Sequence, residues 1–283
     1  MKTKLIMVEG LPGFGKSTTS RMIHDILTER NIEARLVMEG DADHPADYEG
    51  TACLTEEEFE RLLQTAGPFK EILIERAAKK GSWNLLPYQK LKNEYGTTLP
   101  DDLYHSLSKQ DIYELPLDFN RKLITDRWEA FAERAWHEPI VTIFECCFIQ
   151  NPVTIGMVKY DETEDQVMDY VLGLEKAILP LNPVLFYIEQ DNLEYAFRKA
   201  IRERPEAWST GFVHYYTRHG YGKHRGLEGV EGTLQVLEAR RELEYRILGR
   251  LGLNQVRINN SLYDQETYKA MLINKLKLHG VIQ

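Results

Sequence analysis

The chain has 283 residues, 43% hydrophobic and 28% charged, enough to bury one sizeable core or two modest ones. Its formal charge of -9 argues against a protein whose main task is gripping nucleic-acid phosphates, which requires a basic surface. No apolar stretch reaches bilayer-spanning length and the first residues lack the layout of a secretory signal, so a cytoplasmic protein without a membrane partner is expected. Cys53, Cys146 and Cys147 have neither disulfide nor metal-ligand spacing and read as reduced, mostly buried thiols.

In chain order, residues 5–8 form a short apolar run bounded by glycine, which reads as a strand over 4–8 covered on both faces. It runs into Gly10-Leu-Pro-Gly13-Phe-Gly15-Lys16-Ser17, a match to G-x-x-x-x-G-K-[ST] in the strand-to-helix context that the motif requires. Glycines let successive backbone N–H groups curl around a phosphate, and the following helix aims its positive end at the same anion. Lys16 is expected to reach the outer phosphates and Ser17 to ligate Mg²⁺. Gly10, Leu11, Gly13, Phe14, Gly15 and Thr18 complete the predicted nucleotide cradle.

The spacing of Met22, Ile23, Ile26 and Leu27 predicts a helix over 17–30, and further core strands are expected at 34–38, 140–144, 184–188 and 255–258. Helical stretches between them predict an α/β fold, a three-layer arrangement around a parallel five-stranded sheet with strand order 2-3-1-4-5. The long segment between the second and third strands is no loop. Thr55-Glu56-Glu57-Glu58 fits a capping box, and helices are expected from there to near Ala66, over 68–80 and over 117–136, as a helical insertion spanning 50–138 of a single domain covering 1–283.

With the phosphate loop and the Glu9-Gly10 pair that opens it in place, the chain resembles the P-loop kinases of the nucleotide and nucleoside kinase superfamily. Guanine-specific Asn/Thr-Lys-x-Asp and transporter-type signatures are absent. The resemblance implies ATP and Mg²⁺ as cofactors. It makes Glu145, at the end of the third strand, the acidic residue that holds the magnesium shell or takes a proton from the acceptor. Cys146 stands where the resembling kinases carry arginine or tyrosine. The resemblance also makes Arg198, Arg202 and Arg204 a lid arginine cluster within a lid region at 191–232, with Arg198 and Arg202 four apart on one helical face as the candidates for catalysis; a solvated basic face is the competing reading. The glycines of 211–232 read as hinges of a mobile loop, and His214, His219 and His224 do not share a helical face, which speaks against zinc. Asn260 and Ser261 are expected beside the base, or else Ser261 or Asp264 caps the last helix.

Two cues concern the acceptor. Gly40-Asp41-Ala-Asp-His44-Pro45 resembles the Gly-Asp-x-x-His-Pro element of gluconate kinases, which would make Asp41 the residue that orients or deprotonates an acceptor hydroxyl and His44 an acceptor contact. Asp126-Arg127 is similar to the Asp-Arg helix of thymidylate kinases, where Arg127 would clamp a phosphate or carboxylate. The expected function is therefore ATP-dependent transfer of the γ-phosphate to a hydroxyl or phosphate of a small polar metabolite. A nucleoside or nucleoside-monophosphate kinase is the alternative within that class, and a non-catalytic ATP-binding sensor is the rival from another.

Overall fold

The structure, a computed structural model, describes residues 2–262 and 264–283. The chain divides into two compact units, one built from the chain up to Glu39 together with Trp128–Gln283, the other from Gly40–Arg127. Eight strands occur in chain order among the described residues: β1 (Leu5–Glu9), β2 (Ala34–Val37), β3 (Ala52–Thr55), β4 (Ala78–Lys80), β5 (Trp83–Leu86), β6 (Val141–Glu145), β7 (Val184–Glu189) and β8 (Asn254–Asn259).

The larger unit holds a five-stranded, all-parallel sheet of order β2-β6-β1-β7-β8. All five residues of β1 and of β6 are buried, as strands covered on both faces must be. Counted over the whole chain the order reads 2-6-1-7-8 where the sequence reading has 2-3-1-4-5. The difference in numbering comes entirely from β3, β4 and β5, which form elsewhere. β1 pairs with β6 on one side and β7 on the other, so the chain leaves β1 in opposite directions along the sheet, and the carboxyl end of β1 is the switch point at which open parallel sheets bind ligands. Helix Lys16–Thr28 leaves this point directly and buries Ile23, Ile26 and Leu27 completely, each contributing roughly 1.5–3 kcal/mol. Leu11 and Phe14 enter the same core cluster from the phosphate loop, with Phe186, Phe197 and Tyr216 among its other members.

The inserted unit is not purely helical, and it spans 40–127 rather than 50–138. It contains an antiparallel three-stranded sheet of order β3-β5-β4 that the sequence reading does not foresee. The expected helix over 68–80 breaks at Arg76, and its last three residues become β4, with Gly81 at φ +61° in the turn to β5. The capping box is as expected: Glu58 N donates to Thr55 Oγ1 at 3.2 Å and Thr55 N donates to Glu58 Oε2 at 2.8 Å, starting helix Glu56–Thr65. This unit has its own core, including Leu54, Phe59, Leu73, Leu86, Leu91 and Leu107. Helix Leu117–His137 belongs to both units, changing over between Arg127 and Trp128.

The glycine-rich stretch 211–232 is mostly helix, within Glu206–Arg218, Gly220–His224 and the start of Gly229–Leu248. Several of its glycines serve close packing instead of hinging. A Cβ on Gly222 would stand 2.1 Å from Tyr216 O, and one on Gly220 would stand 2.5 Å from Lys159 O. No described helix is long and apolar enough to cross a membrane.

Candidate active site

The phosphate loop owes its shape to three backbone positions that side chains rarely adopt: Gly10 at φ +145°, Gly13 at +85° and Gly15 at +98°. Space forbids a side chain there as well, since a Cβ on Gly10 would meet Ile188 O at 2.6 Å and one on Gly13 would meet Ala196 O at 2.6 Å. Leu11 and Phe14 are buried, at 0% and 1% exposure, so they anchor the loop in the core and offer a ligand only their main chain. Phe14 N donates to Leu11 O at 3.2 Å and Lys16 Nζ donates to Gly10 O at 2.9 Å, which keeps the ammonium folded over its own loop.

A cavity of about 400 Å³ opens at this loop, lined by Gly13, Gly15, Lys16, Ser17, Thr18, Glu145 and Asn260 among others. Ser17 Oγ donates to Glu145 Oε1, and Glu145 Oε2 accepts from Glu39 N at 3.3 Å. The two residues expected to hold a metal are thus in direct contact. Mg²⁺ prefers one or two protein oxygens completed by phosphate oxygens and water, and a hydroxyl beside a carboxylate fits that demand. Among the described residues no group of three or more His, Cys, Asp or Glu side chains is placed to hold a metal ion by itself. Parallel register fixes Glu145 here, because Val8↔Glu145 pairing sets it beside the last turn before Gly10. Cys146 and Cys147 then adopt φ +63° and +72°, turning the chain sharply away; both thiols are buried, and burial pushes the Cys146 thiol well above its usual range.

Asn260 lines the cavity and donates through Nδ2 to Phe14 O at 3.1 Å. Ser261 does not line it; its Oγ accepts from Asp191 N at 2.8 Å, and Asp264 is the residue that caps helix Gln265–Leu278. Arg198 and Arg202 also lie outside it. Arg198 pairs with Glu194 and Glu231 on the surface, while Arg204 lines the cavity in their place. Arg204 precedes Pro205 and is extended (φ -101°, ψ 158°), which swings it off the helical face that Arg198 occupies.

Asp41, His44 and Arg127 belong to the inserted unit. There Asp41 Oδ1 accepts from Asp43 N at 2.8 Å, and the His44 ring accepts through Nδ1 from Ala46 N at 3.2 Å, with burial holding its pKa below the usual histidine value. Arg127 donates to Asp47 O and His44 O, both at 3.1 Å, and stacks over Tyr48 at 4.5 Å, so it fastens this turn together.

Sequence reasoning missed two carboxylates. Glu39, two residues past the end of β2, lines the cavity and accepts from Gln150 Nε2. Glu9, the last residue of β1, is 1% exposed and accepts backbone N–H bonds from Phe148 (2.7 Å), Ile149 (2.9 Å) and Gln150 (3.1 Å). Burial outweighs these bonds and pushes its pKa up to about 7. The folded state therefore holds a proton that the unfolded chain releases near pH 4.5, so stability falls as pH rises from about 4.5 to 7 and then levels off. The span corresponds to about 3 kcal/mol. Chemical-unfolding midpoints measured between pH 5 and 8 should show that decline, and Glu9→Gln should flatten it; a variant with an unchanged slope would show that Glu9 is not its source.

Comparison with known proteins finds no matching protein-family profile and no matching curated protein. Among solved structures, thymidylate kinase from Candida albicans aligns over 99% of this chain and 93% of its own at 10% identity and a TM-score of 0.45. Deoxyadenosine kinase from M. mycoides, with dCTP bound, aligns over 96% of this chain and 98% of its own at 14% identity and a TM-score of 0.43. Likeness at this level decides nothing about chemistry, and the reading of this site rests on its own residues: the chain has a parallel α/β fold with a P-loop at the switch point of its sheet.

Proposed function

We propose that the protein is an ATP-dependent phosphotransferase that moves the γ-phosphate to a small polar metabolite. The observation that carries the reading is the meeting of two cavities. Besides the phosphate-loop cavity, a second of about 470 Å³ lies in the same unit, and Lys16, Glu39 and Arg204 line both. Two cations and a carboxylate at the junction suit a reaction in which charge develops on a group passing from one side to the other.

In this reading the acceptor hydroxyl oxygen attacks the γ-phosphorus, the bond to the bridging oxygen breaks, and ADP departs with that electron pair. Glu39 Oε2 takes the hydroxyl proton, since Oε1 is engaged by Gln150. Lys16 moves from Gly10 O to the phosphates, and Arg204 supplies a planar donor to the group in transit. Ser17 and Glu145 would hold Mg²⁺, which would supply screening of the triphosphate charge. Glu145 is less suited to proton transfer than Glu39 because both its oxygens are already engaged, by Ser17 and by the Glu39 amide. Asp41 and His44, which belong to the inserted unit, are given no part in this step.

Titration calorimetry with ATP and Mg²⁺ should show saturable binding, and ADP release should depend on an added acceptor. Glu39→Gln should lower the turnover number about 10²-fold or more with ATP affinity kept within threefold. ATP binding without transfer to any sugar, sugar acid, nucleoside or nucleotide would leave a nucleotide-binding sensor as the function.

A further inference from the structure

Arg204 lines both cavities from the end of a helix, and what holds its side chain there is a ring. Arg204 N donates to Ala200 O at 3.1 Å, closing helix Leu193–Glu203, and Pro205 caps the next helix, Glu206–Arg218, so the main chain at Arg204 is fixed from both sides. Long side chains in a helix lean toward its N-terminus, which folds the indole of Trp208, the third residue of that helix, back over the residues ahead of it. The Arg204 guanidinium lies 4.1 Å from the centroid of that ring.

The ring is itself immobilised. Trp208 stacks on Phe212 with centroids 5.1 Å apart and planes 29° apart, and Phe212 on Tyr216 at 4.1 Å and 17°. Tyr216 is 2% exposed and its hydroxyl accepts from Arg240 Nη1, so the stack is rooted in the core. Phe212 also meets Phe197, which is 1% exposed and belongs to the helix that ends at Arg204, at 5.5 Å. That helix packs directly on the phosphate loop, where a Cβ on Gly13 would stand 2.6 Å from Ala196 O and 3.2 Å from Ala200 Cβ. Close packing therefore fixes both the ring and the helix end relative to the loop.

Contact through the face of a guanidinium leaves its edge free. The five N–H donors lie in its plane, and among the described residues the Arg204 side chain makes no hydrogen bond or ion pair. Arg198, by contrast, is neutralised by Glu194 and Glu231, and Arg240 by Glu244. A salt bridge fixes an arginine by occupying its donors and offsetting its charge, whereas a cation–π stack fixes it and does neither. Arg204 is exposed, and without the ring its long side chain would have to be ordered at the moment of reaction.

Resting on the phosphotransferase reading, we propose that Trp208 is a positioning residue, which holds the Arg204 guanidinium at the junction of the cavities before ATP arrives and leaves its donors free for the phosphoryl group in transit. The arginine is then presented by a fixed platform and is not carried in by a closing lid.

The test uses the full chain and two readouts. Acrylamide quenching of tryptophan emission, taken as the difference between each protein and its Trp208→Phe counterpart, reads the stack without any reaction. Arg204→Ala uncovers the ring and should raise the quenching constant of Trp208 about twofold. This comparison rests on a surface substitution, so it stands whether or not Trp208→Leu folds. ADP release with ATP and Mg²⁺ is then measured with ribose, gluconate, uridine and uridine monophosphate, and the fastest acceptor is kept for the variants. Trp208→Leu should lower kcat about tenfold with ATP affinity and acceptor KM within about threefold, and Trp208→Phe should retain most of the wild-type rate. In the Arg204→Ala background Trp208→Leu should change kcat by less than about twofold, because the group it positions is gone. Equal losses in both backgrounds, or a quenching constant indifferent to Arg204→Ala, overturn the inference and leave phosphoryl transfer standing. ATP binding with the stack detected and no acceptor consumed defeats the phosphotransferase reading, and the positioning role with it.

Discussion

Replacing Lys16 by Ala is expected to lower the turnover number of ADP release by roughly 10²–10³-fold, the usual effect of deleting one preorganised donor to transition-state charge. The geometry dictates this size. Lys16 is 7% exposed and reaches Gly10 O from the first turn of its helix, so its ammonium is confined to the few ångströms around the loop and to the junction of the two cavities. A surface ammonium would be screened by water, whereas this one acts where water is scarce and its field is less attenuated. The folded state should hardly notice the loss, because Nζ makes a single hydrogen bond among the described residues, to the Gly10 carbonyl of its own loop. The thermal midpoint is expected to move by only a few degrees. The two readouts together are diagnostic: a variant that keeps its midpoint and its turnover removes Lys16 from the chemistry, while one that loses both says only that the loop has collapsed.

The phosphate loop and the sheet around it were legible because each carries a local signature. Residues 5–8 and 184–188 are uninterrupted apolar runs, and 141–144 is broken only by Thr142, as parallel strands covered on both faces require. The glycines at 10, 13 and 15 are read correctly for the same reason that the structure needs them, positive φ and backbone approach within a side chain's radius. Ser17 and Glu145 could be paired in advance because one ends the motif and the other ends a strand. Glu39 could not, since a lone carboxylate just past a strand has no signature until the register Val37↔Phe144 sets it near Glu145.

The arginines show a different kind of failure. Periodicity places Arg198 and Arg202 on one face, and they are on one face, but it is the wetted one. Pro205 decides the matter by forcing Arg204 out of helical geometry and toward the cavities. The inserted unit reads as helical because β4 and β5 are short, β4 carries Lys79 and Lys80, and the apolar residues of β5 are interrupted by Asn84. The glycines of 211–232 carry the same letters as a hinge but serve as contact points between packed backbones, a distinction that only the neighbours reveal.

Arg240→Met should destabilise the protein by about 3–5 kcal/mol, a large part of the total stability of an ordinary domain. In sequence this arginine sits among Glu238, Arg241, Glu242 and Glu244. In the structure Arg240 and Glu244 are each 1% exposed, four residues apart on one helix and joined at 2.6 Å. Removing the guanidinium strands the Glu244 carboxylate where water cannot reach it, along with the hydroxyls of Tyr216 and Thr154 that Nη1 serves. The cost is that of an orphaned charge more than of a lost attraction. The double variant Arg240→Met, Glu244→Met should therefore be more stable than the single one by at least about 1 kcal/mol, though still below wild type because Tyr187 Oη loses its acceptor. Urea unfolding midpoints at constant m-value measure both differences. A double variant less stable than Arg240→Met would mean that Glu244 stabilises the fold even without its arginine, through the bond from Tyr187 Oη, and that no orphaned charge accounts for the cost of the single variant.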